Sequence, residues 1–167
     1  PDFARAHYNL GLIHSENPDT VEQAIIDYKT AARYDPGMTA AWRNLANIYF
    51  RQGNYSESLR VYRQAIKSCP DDVLLHLGAG NSLLQMQKGE EGRQVFTDTA
   101  RRFPGSPLPF YSLGLACEKQ GNYNEAADYY RKSGDLMHLP AFTRLFELHF
   151  AGKASLAPEQ IIADATR

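Results

Sequence analysis

The stretch AWRNLANIYFRQGNYSESLRVYRQAIKSCPDD, running from Ala41 to Asp72, decides the fold. Its apolar residues at 42, 45, 46, 49 and 50 fall on one face of a helix. A second periodic run follows with Leu59, Tyr62, Ala65 and Ile66. Gly53-Asn54 separates the two runs and Cys69-Pro70-Asp71-Asp72 ends the second, each a turn or stop signal. The stretch therefore predicts two antiparallel helices. A lone helical hairpin cannot bury both of its faces, so its neighbours in sequence must stack on it.

Those neighbours have the same pattern. Tyr28, Tyr62, Phe96 and Tyr130 are each 34 residues apart, and Ala24, Ser58, Gly92 and Ala126 stand four residues before them. Pro36, Pro70 and Pro104 keep the same step. Gly11, Ala46, Gly80 and Gly114 are spaced 35, 34 and 34, which puts the extra residue in the Asn17-Pro18-Asp19-Thr20 turn. The small residues let paired helices approach closely, and the aromatics fill the space between hairpins. A chain with this period is a stack of helical hairpins, an architecture that binds other proteins far more often than it catalyses.

The pattern resembles the tetratricopeptide repeat family, whose signature is Trp-x2-Leu-Gly-x2-Tyr, then Ala-x3-Phe, then Pro. The second unit has Trp42, Leu45, Ala46, Tyr49, Ser58, Tyr62, Ala65 and Pro70 at those places. The first reads His7, Leu10, Gly11, His14, Ala24, Tyr28, Ala31 and Pro36, and the fourth Phe110, Leu113, Gly114, Cys117, Ala126, Tyr130 and Ser133, with His138 where the proline belongs. The third is the loosest: His76, Ala79, Gly80, Leu83, Gly92, Phe96, Thr99 and Pro104. The resemblance implies an all-α, right-handed superhelical solenoid forming a single array over residues 1–167. Its repeats would cover 4–38, 39–72, 73–106 and 107–138, with 139–167 a degenerate fifth repeat or cap. Phe142, Leu145, Phe146 and His149 continue the first-helix spacing, whereas Pro158 and Ile161-Ile162 no longer fit the period.

Composition narrows the function. The chain has 167 residues, 43% of them hydrophobic, and its 18 basic and 19 acidic residues give a net charge of −1. That balance does not point to nucleic acid, and no apolar run approaches the ~20 residues that cross a bilayer, so membrane insertion is not expected. A soluble, cytoplasmic setting is slightly favoured. The opening Pro1-Asp2-Phe3-Ala4-Arg5 is neither an initiator methionine nor a signal peptide, which suggests that the chain starts partway into a longer product or after processing. No cysteine–histidine cluster has metal-ligand spacing, and no cofactor is expected. Cys117 takes the tyrosine slot of its repeat and reads as a small buried hydrophobe. His7, His14 and His76 take aromatic slots and read as packing. Gly78, inside a helix, reads as loose selection in a degenerate repeat or as a side chain omitted on a ligand-facing side.

The resemblance also implies that the first helix of each hairpin lines a concave groove. Helical geometry then gives Tyr8, Asn9 and Leu12 from the first unit and Arg43, Asn44, Asn47, Phe50 and Arg51 from the second. The third contributes Leu77, Asn81 and Leu84, and the fourth Leu108, Tyr111 and Leu115. The N-terminal half is polar, with amides that can pair with a peptide backbone. The C-terminal half is apolar and reads either as a binding patch or as a surface covered by a flanking segment. Arg43, Asn44 and Asn47 partly match a clamp that recognises acidic chaperone tails, but its remaining positions fall on Leu74 and Gly78 or on Leu108 and Ser112, so such binding is not expected. The sequence thus points to a non-enzymatic adaptor that holds a partner's extended peptide or amphipathic helix. The alternative is the docking arm of a larger enzyme, such as a glycosyltransferase or sulfotransferase.

Overall fold

The computed structural model describes residues 2–154, which contain nine α-helices and no strand. In order these are α1 (Asp2–Ser15), α2 (Val21–Tyr34), α3 (Thr39–Arg51), α4 (Tyr55–Ser68), α5 (Val73–Gln85), α6 (Gly89–Arg102), α7 (Pro107–Lys119), α8 (Tyr123–Gly134) and α9 (Leu139–Phe150). The extra residue of the first repeat is taken up in a short 3-10 turn, Pro18–Thr20. The expected second helix around Pro158 and Ile161-Ile162 lies outside the described residues.

Local chemistry sets the helix ends. Asn54 caps α4 by accepting from the Glu57 amide at 3.4 Å, and Asp72 caps α5 by accepting from the Leu74 amide at 2.9 Å. Pro107 starts α7, where a missing N–H costs nothing. The turns inside successive hairpins need a left-handed residue at one position. Gly53 (φ 75°) and Gly121 (φ 81°) supply it freely, but the third repeat has Gln87 there at φ 61°.

The chain divides into two compact units, the first ending at Lys88 and the second starting at Gly89. In the first, α1 packs on α2, α2 on α3, α3 on α4 and α4 on α5. In the second, α6 packs on α7, α7 on α8 and α8 on α9. Trp42 is 7% exposed, and its indole Nε1 donates to the Pro36 carbonyl at 3.0 Å. Cys117 is fully buried, as its slot in the repeat predicts.

The tightest packing joins a second-helix ring to a first-helix glycine. A Cβ on Gly11 would lie 2.6 Å from the Tyr28 ring, and one on Gly114 would overlap Tyr130. Gly78 follows the same rule toward the preceding hairpin, where a Cβ would overlap the ring of Tyr62. Neither reading of Gly78 from the sequence was right: the residue is a contact surface for a buried tyrosine. The histidines are also corrected. His7 Nδ1 and His14 Nδ1 bind the two carboxylate oxygens of Asp27 at 3.1 and 2.7 Å, and Asp27 is only 3% exposed. His76 Nε2 sits 2.8 Å from the Pro70 carbonyl. These rings do more than fill space, because a buried carboxylate must be compensated.

Two substitutions test these backbone assignments. Gly78→Ala should destabilise the fold by about 1–3 kcal/mol, although helix propensity alone would make alanine the better residue. Gln87→Gly should stabilise it by about 1 kcal/mol, the cost of a left-handed non-glycine residue. Urea denaturation of both variants checks the signs.

A polar cleft on the inner face of the first unit

An open cleft of about 370 Å³ lies between the first helices α1 and α3. Leu12 and Ser15 form the α1 wall, Asn44, Asn47, Ile48, Phe50 and Arg51 the α3 wall, and Tyr28 of α2 the floor. Five of these residues (Leu12, Asn44, Asn47, Phe50 and Arg51) are among those that helical geometry assigns to the groove. Ser15, Tyr28 and Ile48 are not, because the repeat pattern gives Tyr28 and Ile48 no role beyond packing.

The second helices set the polarity of the cleft. The Asn44 amide donates to the Tyr28 hydroxyl at 3.3 Å, and Ser15 Oγ lies 3.4 Å from the same hydroxyl. Tyr62 donates to Asn47 Oδ1 at 2.8 Å. Each tyrosine thus orients one asparagine and uses part of its hydrogen-bonding capacity. Asn44 keeps its carbonyl and Asn47 its NH₂, one acceptor and one donor on a helical surface. Phe50 is fixed edge-on against Tyr55 with ring centroids 5.1 Å apart, and Tyr8 leans on Tyr28 at 5.9 Å. Arg51 is exposed at the mouth, whereas Arg43 is half-buried. Burial pushes the Tyr62 hydroxyl up to about 12, with the Arg43 guanidinium pulling the other way.

The remaining groove residues divide. Asn9 and Asn81 are exposed and Leu84 is half-buried. Leu77 is only 8% exposed, which corrects its expected place as a surface anchor. Its neighbour Gly78 brings α5 against the Tyr62 ring, and this close approach draws Leu77 under cover. In the second unit Leu115 is 38% exposed, and Leu108 is half-buried. Tyr111 does not stand free: its ring packs against Tyr130 at 5.6 Å and His138 at 4.8 Å. The Tyr130 hydroxyl donates to Glu118 at 2.7 Å, and Arg144 bonds the other Glu118 oxygen at 3.0 Å. An ion pair therefore occupies the place that free amides hold in the first unit. Among the described residues no group of three or more histidines, cysteines or acids could hold a metal ion, and no helix is long and apolar enough to cross a membrane.

Residues 46–87 match the family described as TPR repeat, and residues 77–134 the one described as tetratricopeptide repeat. The chain belongs to the tetratricopeptide repeat family. Among curated relatives, it is 24% identical over 131 residues to the anaphase-promoting complex subunit CDC16 of Saccharomyces cerevisiae, with 78% of the chain covered. It is 27% identical over 140 residues to the human protein O-mannosyl-transferase TMTC3, with 75% covered. The chain spans only 15% of the length of each of these two relatives. The solved structure of MamA from Desulfovibrio magneticus RS-1 matches with a TM-score of 0.66 at 17% identity, covering 99% of this chain and 93% of that one. That likeness concerns the all-α helical-repeat fold alone.

Tyr62 gives this tetratricopeptide repeat a testable pH dependence. Its hydroxyl ionises near 10.0 when exposed and near 12 in the folded chain. The stability it contributes is therefore complete below about pH 10 and lost as pH rises toward about 12. Chemical denaturation across that range should show the decline, and Tyr62→Phe should make it shallower.

Proposed function

We propose that this tetratricopeptide repeat chain is a non-enzymatic protein-interaction module that holds a partner's extended peptide in the α1–α3 cleft. The observation that carries the reading is the pair of inner-face asparagines, each fixed by a buried tyrosine and each left with hydrogen-bonding capacity facing the cleft. An extended backbone offers alternating N–H and C=O groups that this pair would meet, and pre-set side chains lose little entropy on binding. Leu12 and Phe50 supply apolar contact at the walls, and Arg51 favours an acidic residue beside the apolar one. In the second unit Leu108, Tyr111 and Leu115 form a separate first-helix surface, better suited to the apolar face of an amphipathic helix. Leu77, being buried, contributes to stability rather than to contact.

A relative named as a subunit of the anaphase-promoting complex supports a scaffolding reading. A second reading rests on another relative: TMTC3 is named as a protein O-mannosyl-transferase, so the repeat chain may serve as the docking arm of a larger enzyme. The cleft chemistry is the same in both.

The test selects 12-residue peptides on the intact chain and measures their affinity by fluorescence anisotropy at two salt concentrations. Asn47→Ala should weaken the selected peptides about tenfold, roughly 1.4 kcal/mol. Arg51→Ala should mainly slow association and flatten its salt dependence. Unchanged affinity in both variants would remove the cleft as the site.

A further inference from the structure

The first helix of the array exposes a face that every later first helix buries. Leu10 and Ile13 on α1 are 43% and 64% exposed. Their counterparts in α3, Leu45 and Ile48, are 1% and 2% exposed. In α5 the pair is Ala79 and Ser82, at 4% and 0%, and in α7 it is Leu113 and Ala116, at 1% and 2%. In α9 it is Leu145 and Leu148, at 2% and 3%. Each of these four helices has a preceding second helix packed on it: α2 on α3, α4 on α5, α6 on α7 and α8 on α9. On α3, the buried side is the one that meets α2, since Asn44 bonds Tyr28 and Ile48 shares the cleft with it. Among the described residues, α1 has no such helix.

We propose that this face of α1 is a docking site for an amphipathic α-helix of a partner protein, seated as α2 sits on α3. The internal repeats specify its chemistry. The α2 seam is Ile25, Tyr28 and Ala32, an aliphatic residue, an aromatic three positions on and a small residue four further. Asn9 stands where Asn44 stands in α3, so a tyrosine in the arriving helix finds an amide waiting for its hydroxyl. The surroundings favour a partner that comes and goes over a permanent layer of core. Beside the apolar stripe lies the Asp27 carboxylate, held by His7 and His14, whose side chains are 31% and 28% exposed. The α4 counterpart of Asp27 is Val61, 1% exposed. A polar group set next to an apolar stripe is the composition of a reversible interface, more polar than a permanent one. This site is separate from the cleft and does not depend on it.

The probe is a synthetic peptide of residues 20–34, which is the α2 sequence with its preceding turn, capped at both ends. Titrated into the full chain, it should bind saturably, and Leu10→Asp or Ile13→Asp in the chain should weaken it at least tenfold. Tyr28→Ala in the peptide should do the same, whereas Asn47→Ala in the chain should leave it unchanged. Both chain variants should keep the parent Tm, because the replaced side chains are exposed. Absence of saturable binding, or binding indifferent to Leu10→Asp and Ile13→Asp, would overturn the proposal. So would a fall in Tm for Leu10→Asp as large as for Leu45→Asp, which would mean that the chain itself covers the face. Sedimentation showing a dimer that Ile13→Asp dissolves would assign the face to a second copy and equally defeat it.

Discussion

The structure depends on a buried aromatic ring lying against a residue that has no side chain. Tyr28 covers Gly11, Tyr62 covers Gly78 and Tyr130 covers Gly114, and in each case a methyl group would collide with the ring. The contact sets how closely two helices approach, and the approach fixes the depth of everything next to it. It also costs helix propensity, because glycine inside a helix is about 1 kcal/mol worse than alanine. The cost is offset by burial of the ring, since a fully buried aromatic is among the largest contributors a small core can have.

The same rings link packing to function. A tyrosine laid across one helix ends in a hydroxyl, and the hydroxyl reaches the inner face. There it meets Asn44 from Tyr28, Asn47 from Tyr62 and Glu118 from Tyr130. Where the partner is an asparagine, part of the amide stays free and the surface keeps its capacity to bind a backbone. Where it is a glutamate, Arg144 completes an ion pair and that capacity is used up. One kind of core residue therefore produces two kinds of surface, and the difference lies in a single inner-face side chain.

Much of this was legible in the sequence. The 34-residue step of Tyr28, Tyr62, Phe96 and Tyr130 gives hairpins and their order, because packing periodicity is written directly in residue spacing. Helical phase also placed Leu12, Asn44, Asn47, Phe50 and Arg51 on one surface, where they line one cleft. The misreadings share a cause: they turn on contacts between hairpins, which spacing within a hairpin does not encode. Gly78 looked like a weak residue because its partner, Tyr62, belongs to the preceding hairpin. Leu77 looked exposed for the same reason. Asp27 stands where the next repeat has Val61, and nothing in its neighbourhood of the sequence announces two histidines 20 and 13 residues away.

The central claim is that tyrosine-fixed asparagines on the inner face are the contact surface for a peptide. The most direct test follows the side-chain amide NMR signals of Asn44 and Asn47 during titration with a selected peptide. Both NH₂ signals should shift with a common midpoint, together with the backbone amides of Leu12 and Arg51. Asparagine signals that stay in place at saturation, while residues on the second helices such as Lys29 and Arg60 shift, would contradict it.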